Sequence, residues 1–307
     1  MAANMDVKKV ILIGGAGTLG SVILQSLLAL STFEVSILSR ISSKASFPAS
    51  VSVITADYDS EDDLVRAFKG QDAIVSAVGG AGFTQQKGFV IAAIKAGVKR
   101  FVPSEYSTNT RSDAVRSLVP LFEAKQEILT LLHEKESTKF SWTGLATGPL
   151  LDWGLQSGFL GFEIASKKAK IWDNGDIVFS ATNQDEIATA VISILQHPVE
   201  TANKYLYVQT AAVSQIDILK SLEAATGQDW EVERVKTEEL VGLGKQLVAS
   251  GDFTGNFLLV QASVWGNGSG LRQNFSVDES LANSMLGVRQ GELDETVKRV
   301  VNAAESN

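Results

Sequence analysis

The chain has 307 residues, 45% hydrophobic and 20% charged, with 26 Gly and 5 Pro, a globular composition that excludes disordered, collagen-like and low-complexity classes. Acids outnumber bases 35 to 27, and the net charge of −8 argues against an obligatory nucleic-acid partner. No apolar run reaches membrane-spanning length, and Met1–Lys9 lacks a signal-peptide layout, so a cytoplasmic location without membrane attachment is expected.

Strands and helices alternate through the first half. Lys9–Ile13 is an apolar run without helical period, ending in Gly14-Gly15-Ala16-Gly17. Ser21–Leu30 follows as a helix with Val22, Leu24, Leu27 and Leu28 on one face. Glu34–Leu38 and Val51–Thr55 read as the second and third strands, and Ser60 as the N-cap of a helix running to Phe68. Ala73–Val78 is the fourth strand, Phe89–Ala96 a helix closed by Gly97, and Arg100–Val102 the fifth strand. Glu123–Glu134 is an amphipathic helix and Phe140–Leu145 the sixth strand. This alternation predicts an α/β fold of Rossmann type, a doubly wound parallel sheet with helices on both faces.

Beyond about residue 150 the regularity breaks. Lys170–Trp172 and Ile177–Phe179 flank Asp173-Asn174-Gly175-Asp176, a hairpin signature because Asn-Gly tolerates positive φ. Helices are expected at Asp185–Gln196, Ile216–Thr226, Glu238–Ala249, Phe253–Val264 and Leu293–Ala304, with strands at Tyr205–Val208 and Trp230–Val235. The division expected is a dinucleotide-binding domain over 1–150, completed by segments near 183–209, and a smaller mixed α/β lobe over 151–307 that covers the substrate.

The residue inventory narrows the chemistry. Without cysteine there is no thiolate nucleophile, disulfide or thiolate-bound metal. His133 lies in a helical run and His197 directly precedes Pro198, so both read as surface or helix-end residues, and no metal is expected. Acid–base chemistry falls to Lys, Tyr, Asp or Glu.

Gly14-Gly15-Ala16-Gly17-Thr18-Leu19-Gly20 stands between a strand and a helix. Glycines there let backbone approach a pyrophosphate, and the helix N-terminus supplies N–H donors and positive potential. The bland alternative is a tight structural turn; the strand–glycine–helix–strand context favours a cofactor site. An NAD site usually carries an acid at the end of the second strand, to hold the ribose hydroxyls. Here Arg40 stands twenty positions after Gly20, with Lys44 close behind, and a guanidinium suits a 2′-phosphate. NADP(H) is therefore expected over NAD(H). Asp57-Tyr58 after the third strand and Ala77-Val78-Gly79 after the fourth are expected along the cofactor, although Asp57 reads equally well as a turn aspartate. Thr147-Gly148-Pro149 after the sixth strand is expected near the nicotinamide.

Arg100-Phe101-Val102-Pro103-Ser104-Glu105-Tyr106 and Leu121-Phe122-Glu123-Ala124-Lys125, with the glycine turn, resemble the NmrA-like, isoflavone-reductase-like family of atypical short-chain dehydrogenases. That family writes the two motifs approximately as RF-x-PSEFG and FE-x-K. The resemblance implies NADPH-dependent reduction of a small aromatic or conjugated secondary metabolite. It implies Lys125 as general acid/base beside the nicotinamide, with Ser104 near the cofactor and Tyr106, Glu105 or a water assisting. Lysine does such work only where burial or positive charge lowers its pKa. Helical spacing sets Lys125 near Ile128 and Leu129, a face able to bury it. Tyr106 and Ser107 replace the family's phenylalanine and glycine, and 107–117 is rich in Ser, Thr and Asn. These departures keep two other readings open: an NADP-binding sensor without turnover, and a redox-neutral isomerase or cyclase. For the substrate, Leu150, Trp153, Phe159, Phe162 and Trp265 are expected as pocket walls, with Trp172, Phe253 and Phe257 as further candidates. Glycines 154, 158 and 161 predict a mobile lid.

Overall fold

A seven-stranded sheet organises the computed structural model, which describes residues 6–291 and 293–305. The strands are β1 Lys9–Ile13, β2 Glu34–Arg40, β3 Ser52–Ala56, β4 Ala73–Ser76, β5 Arg100–Val102, β6 Ser141–Ala146, β7 Phe162–Glu163, β8 Lys168–Trp172, β9 Phe179–Ala181, β10 Lys204–Tyr207, β11 Ala211–Val213 and β12 Glu231–Val235. The helices are α1 Thr18–Leu28, α2 Glu61–Phe68, α3 Gln86–Ala96, α4 Asp113–Leu118, α5 Glu123–Lys135, α6 Leu151–Gln156 and α7 Gln184–Gln196. They continue with α8 Gln215–Thr226, α9 Thr237–Ala249, α10 Gly255–Trp265, α11 Phe275–Asp278, α12 Asn283–Leu286 and α13 Leu293–Glu305.

The sheet runs β10-β6-β5-β4-β1-β2-β3, with parallel pairing from β6 through β3. Val10–Ile13 and Ala73–Val75 are apolar throughout because both faces of the sheet are covered, so no polar alternation is tolerated. Leu64, Phe68, Phe89 and Val90 from α2 and α3 pack on Ile11, Ile74 and Phe101. Ser60 caps α2 by accepting the Asp63 N–H, as its position predicts. No helix among the described residues is long and apolar enough to cross a membrane.

Contacts divide the chain into two compact units. The first comprises the segment ending at Glu105 together with Ala124–Leu145 and Ile187–Leu206. Arg100 locks this interleaving: its buried guanidinium donates to Thr143 Oγ1, Thr201 Oγ1 and the Pro198 carbonyl. Burial pulls its pKa down to about 10. The second comprises Tyr106–Glu123, Ala146–Glu186 and the chain from Tyr207 onward, and occupies as much of the sequence as the first. A boundary near residue 150 misses the Tyr106–Glu123 segment, because a segment's contacts and not its place in the chain decide its unit.

One local expectation needs correcting. The hairpin predicted around Asn174-Gly175 does not form: β8 pairs with β12 on one side and β7 on the other, leaving no edge for β9, which pairs with β11. The turn itself is present, with positive φ at Asp173 and Gly175, and Asp173 then anchors α9 by accepting from the Thr237 N–H and hydroxyl. Of glycines 154, 158 and 161, the first lies in a helix and the other two at bends. Gly154 lies inside α6, where a Cβ would come within 2.7 Å of Leu160. Gly161 has φ +87°, and a Cβ there would meet the Lys170 carbonyl at 2.6 Å. Close packing accounts for the glycine at positions 154 and 161.

Candidate active site

The carboxyl ends of β1, β4 and β5 meet along one edge of the sheet in the first unit. Gly14 has φ +84°, and a Cβ on it would stand 2.5 Å from the Ala77 carbonyl, so the turn presses directly on the end of β4. Gly20 is as constrained: its Cβ would fall 2.1 Å from the Gly14 oxygen. A Cβ on Gly15 would meet Ile37 at 2.7 Å. These three glycines fold the turn. Gly17 is different, because it is the extended N-cap of α1, with no side-chain cap and no acid in the first turn. The helix begins at Thr18 and not Ser21, so Thr18, Leu19 and Gly20 form its first turn directly behind the glycines. Its N-terminus carries the positive end of the helix dipole, which favours an anion.

Around this turn, Gly79 opens onto free space: a Cβ there would meet nothing within 4 Å. Arg40 and Lys44 are exposed, and no acid among the described residues is ion-paired with either. The Asp57 carboxylate accepts the Asp59 N–H at 3.0 Å, a turn contact. The residues present fit a dinucleotide: an uncapped helix N-terminus for the diphosphate, side-chain-free backbone at Gly79, and two cations where a 2′-phosphate would lie.

From that cradle the contacts lead to Lys125. The Ser104 hydroxyl donates to the Val78 carbonyl at 2.8 Å, and its N–H to Gln86 Oε1 at 2.8 Å, tying β5 to β4. The next residue, Glu105, is fully buried, and its carbonyl accepts from Lys125 Nζ at 2.8 Å. The same ammonium sits 4.5 Å from the centroid of the Phe83 ring, a cation–π contact. Lys125 is only 2% exposed, and Ile128 and Leu129 on the same face of α5 are buried with it. Burial brings its pKa down from 10.5 to about 8, and the Glu105 charge partly offsets that fall. Lys125 is therefore not a solvent-exposed surface lysine.

Reasoning from sequence missed Phe83, Gln86 and Tyr205. The Tyr205 hydroxyl donates to Glu105 Oε2 at 3.2 Å. One signal was available: Gly144 interrupts β6, and glycine inside a strand marks a close approach. Here the approaching group is Tyr205, whose ring a Cβ on Gly144 would meet at 2.7 Å.

The remaining candidates lie in the second unit. Tyr106, half-buried, is its first residue. The Thr147 and Gly148 N–H groups donate to the Ser107 carbonyl, and a Cβ on Gly148 would come within 1.9 Å of the Ser180 oxygen. Pro149 and Leu150 are zipped to Thr182 by backbone pairing. Trp153 and Phe159 are half-buried, with ring centroids 5.6 Å apart, and Phe159 also contacts Phe257 at 6.4 Å. Phe162 and Trp265 are buried in the second unit's core. Phe162 packs on Trp230, and Trp265 on Trp172 and Phe179, inside that core.

A model of the NmrA-like family matches residues 6–257. The oxidoreductase aprR of Aspergillus flavus is 34% identical over 295 residues, covering 95% of this chain and 98% of that protein. Among solved structures, the complex of leucoanthocyanidin reductase with NADPH from Vitis vinifera has a TM-score of 0.79 at 15% identity, covering 96% of this chain and 99% of that one. AtPrR2 with NADP+ and (+)pinoresinol has a TM-score of 0.77 at 22% identity, over 96% and 99%. With its glycine turn, parallel sheet and buried lysine, the protein is a Rossmann-type oxidoreductase. It belongs to the NmrA-like family, the one its PSEY and FEAK segments resemble.

Proposed function

We propose that the protein is an NADPH-dependent reductase of a small aromatic or conjugated compound, with Lys125 as the proton donor. The observation that carries this is the Lys125 ammonium, buried at the carboxyl edge of the sheet with its pKa brought to about 8. An exposed lysine is too weak an acid to help near neutrality. One with a pKa near 8 is still mostly protonated at pH 7 and releases its proton far more readily.

The cofactor would be held by backbone N–H groups of the turn from Gly14 to Gly20, with Arg40 and Lys44 on the 2′-phosphate and Ala77, Val78 and Gly79 alongside. Bound NADPH supplies the hydride. This chain's residues do the rest: the Glu105 carbonyl and Phe83 ring fix the ammonium, burial excludes water from it, and Lys125 passes one proton to the substrate. Tyr106 is proposed to assist the proton transfer, Thr147, Gly148 and Pro149 to contact the nicotinamide, and Leu150, Trp153 and Phe159 to contact the substrate. The NADPH and pinoresinol named for the two reductase structures support the cofactor and an aromatic substrate class.

Loss of nicotinamide absorbance against a panel of conjugated phenolics tests the reading. Consumption of NADPH by wild type but not by Lys125→Met supports it. Conversion of substrate with no net NADPH oxidation would favour a redox-neutral reaction instead.

A further inference from the structure

Lys125 is one end of a buried polar chain whose other end comes from a distant part of the sequence. Glu105 follows β5, and its backbone oxygen accepts from Lys125 Nζ while its carboxylate charge raises the affinity of that nitrogen for its proton. Behind the carboxylate stands Tyr205 of β10, donating its hydroxyl to Oε2 at 3.2 Å. The ring reaches this position because Gly144 on β6 has no side chain. Leu129, one turn beyond Lys125 on α5, also borders the Gly144 position, at 3.4 Å from where its Cβ would be. A strand glycine carries a cost in backbone entropy, offset here by admitting a tyrosine ring.

We propose that Tyr205 is a positioning residue for Lys125, acting through the Glu105 carboxylate. A fully buried carboxylate keeps its charge only when that charge is hydrogen-bonded or paired. Tyr205 supplies one such bond and fixes where the negative charge sits relative to the ammonium. Two groups that contact Lys125 come from different elements: Glu105 from the end of β5 is charged, and Phe83 ahead of α3 is neutral. Tyr205 from β10 is titratable and acts one bond removed. Withdrawing the phenol donor removes one bond that fixes the carboxylate and lets its charge move relative to the ammonium. The field that holds the proton on Lys125 then weakens, and the lysine becomes a stronger acid.

The inference rests on the assignment of Lys125 as proton donor, so its test reads the lysine itself. In the apo protein labelled with ¹³C at lysine Cε, the Lys125 resonance is assigned by its loss in Lys125→Met and titrated from pH 6 to 11. Tyr205→Phe keeps the ring over Gly144 and deletes only the hydroxyl. It should lower the midpoint by several tenths of a pH unit, and Glu105→Gln by about one, the scale of losing a nearby opposite charge. In the Glu105→Gln background, Tyr205→Phe should add nothing. An unchanged midpoint in Tyr205→Phe overturns the proposal, as does an equal shift with and without the Glu105 charge. If Glu105→Gln does not fold, the pH profile of kcat in Tyr205→Phe decides: a downward shift with the NADPH KM unchanged supports the proposal, and an unmoved profile overturns it. Titration needs no substrate, so a failure here is separable from a failure of Lys125→Met to slow turnover.

Discussion

Replacing Lys125 with methionine should make the protein a worse catalyst and change how its stability depends on pH. The pKa falls from 10.5 in the unfolded chain to about 8 in the folded protein, a gap worth about 3 kcal/mol at ~1.4 kcal/mol per pH unit. Between those two values the unfolded chain binds more protons than the native protein, so wild-type stability rises with pH across the window. Below pH 8 the full penalty of burying the ammonium is present, and above 10.5 it is gone. Methionine keeps the stem's packing and has no titration. It also leaves the Glu105 carbonyl without this donor, at a cost of about 1–3 kcal/mol, so the net change at pH 7 is small. The pH dependence is free of that offset. The stability of the methionine variant relative to wild type should fall by about 3 kcal/mol between pH 7 and 11, measured by urea unfolding at each pH. Turnover should fall about 10²–10⁴-fold with NADPH affinity nearly unchanged. A constant stability difference over that range, or wild-type turnover, would refute the buried, proton-donating lysine.

Arg40→Ala should weaken NADPH binding by about 1.5–3 kcal/mol and barely affect NADH, read by titrating both cofactors; equal losses would make the arginine structural. Gly17→Val should abolish dinucleotide binding in a folded protein, since the side chain would grow from the uncapped N-terminus of α1, 3.2 Å from the Gly14 oxygen already at Cβ. Calorimetry that finds normal NADPH binding would remove the cofactor from this turn. Gly148→Ala should lower stability by more than about 2 kcal/mol, because its Cβ would overlap the Ser180 carbonyl and φ is +62°; an unchanged melting temperature would contradict that packing.

Elements set by local signals were legible in the sequence. β1, β5 and α2 have the bounds that periodicity and capping imply, and the Ser60 cap sits where its sequence puts it. Failures came where distant partners decide. Asn174-Gly175 is a hairpin signal, but pairing depends on which edges of β8 are already taken, and β12 lies nearly sixty residues further along. Phe162 and Trp265 read equally as pocket or core, because an aromatic side chain is the same residue in both. In the site, the glycine turn and Lys125 were visible as motifs. Tyr205 was not, since its role depends on an absent side chain at Gly144, sixty-one positions earlier.

Arg100 is already synthesised when Thr143 appears, yet its last partners, Pro198 and Thr201, emerge about a hundred residues after it. Until they do, the buried guanidinium has only its Thr143 partner, and the sheet lacks its β10 edge. On the ribosome the first unit therefore cannot close as its own residues emerge. It must wait through the synthesis of 146–186, which belong to the other unit. Glu105 and Lys125 spend that interval without Tyr205. A fragment ending near residue 150 would hold the glycine turn and the lysine but neither the late anchor nor the phenol, so truncation at that point should give an unfolded chain and not a minimal cofactor-binding domain.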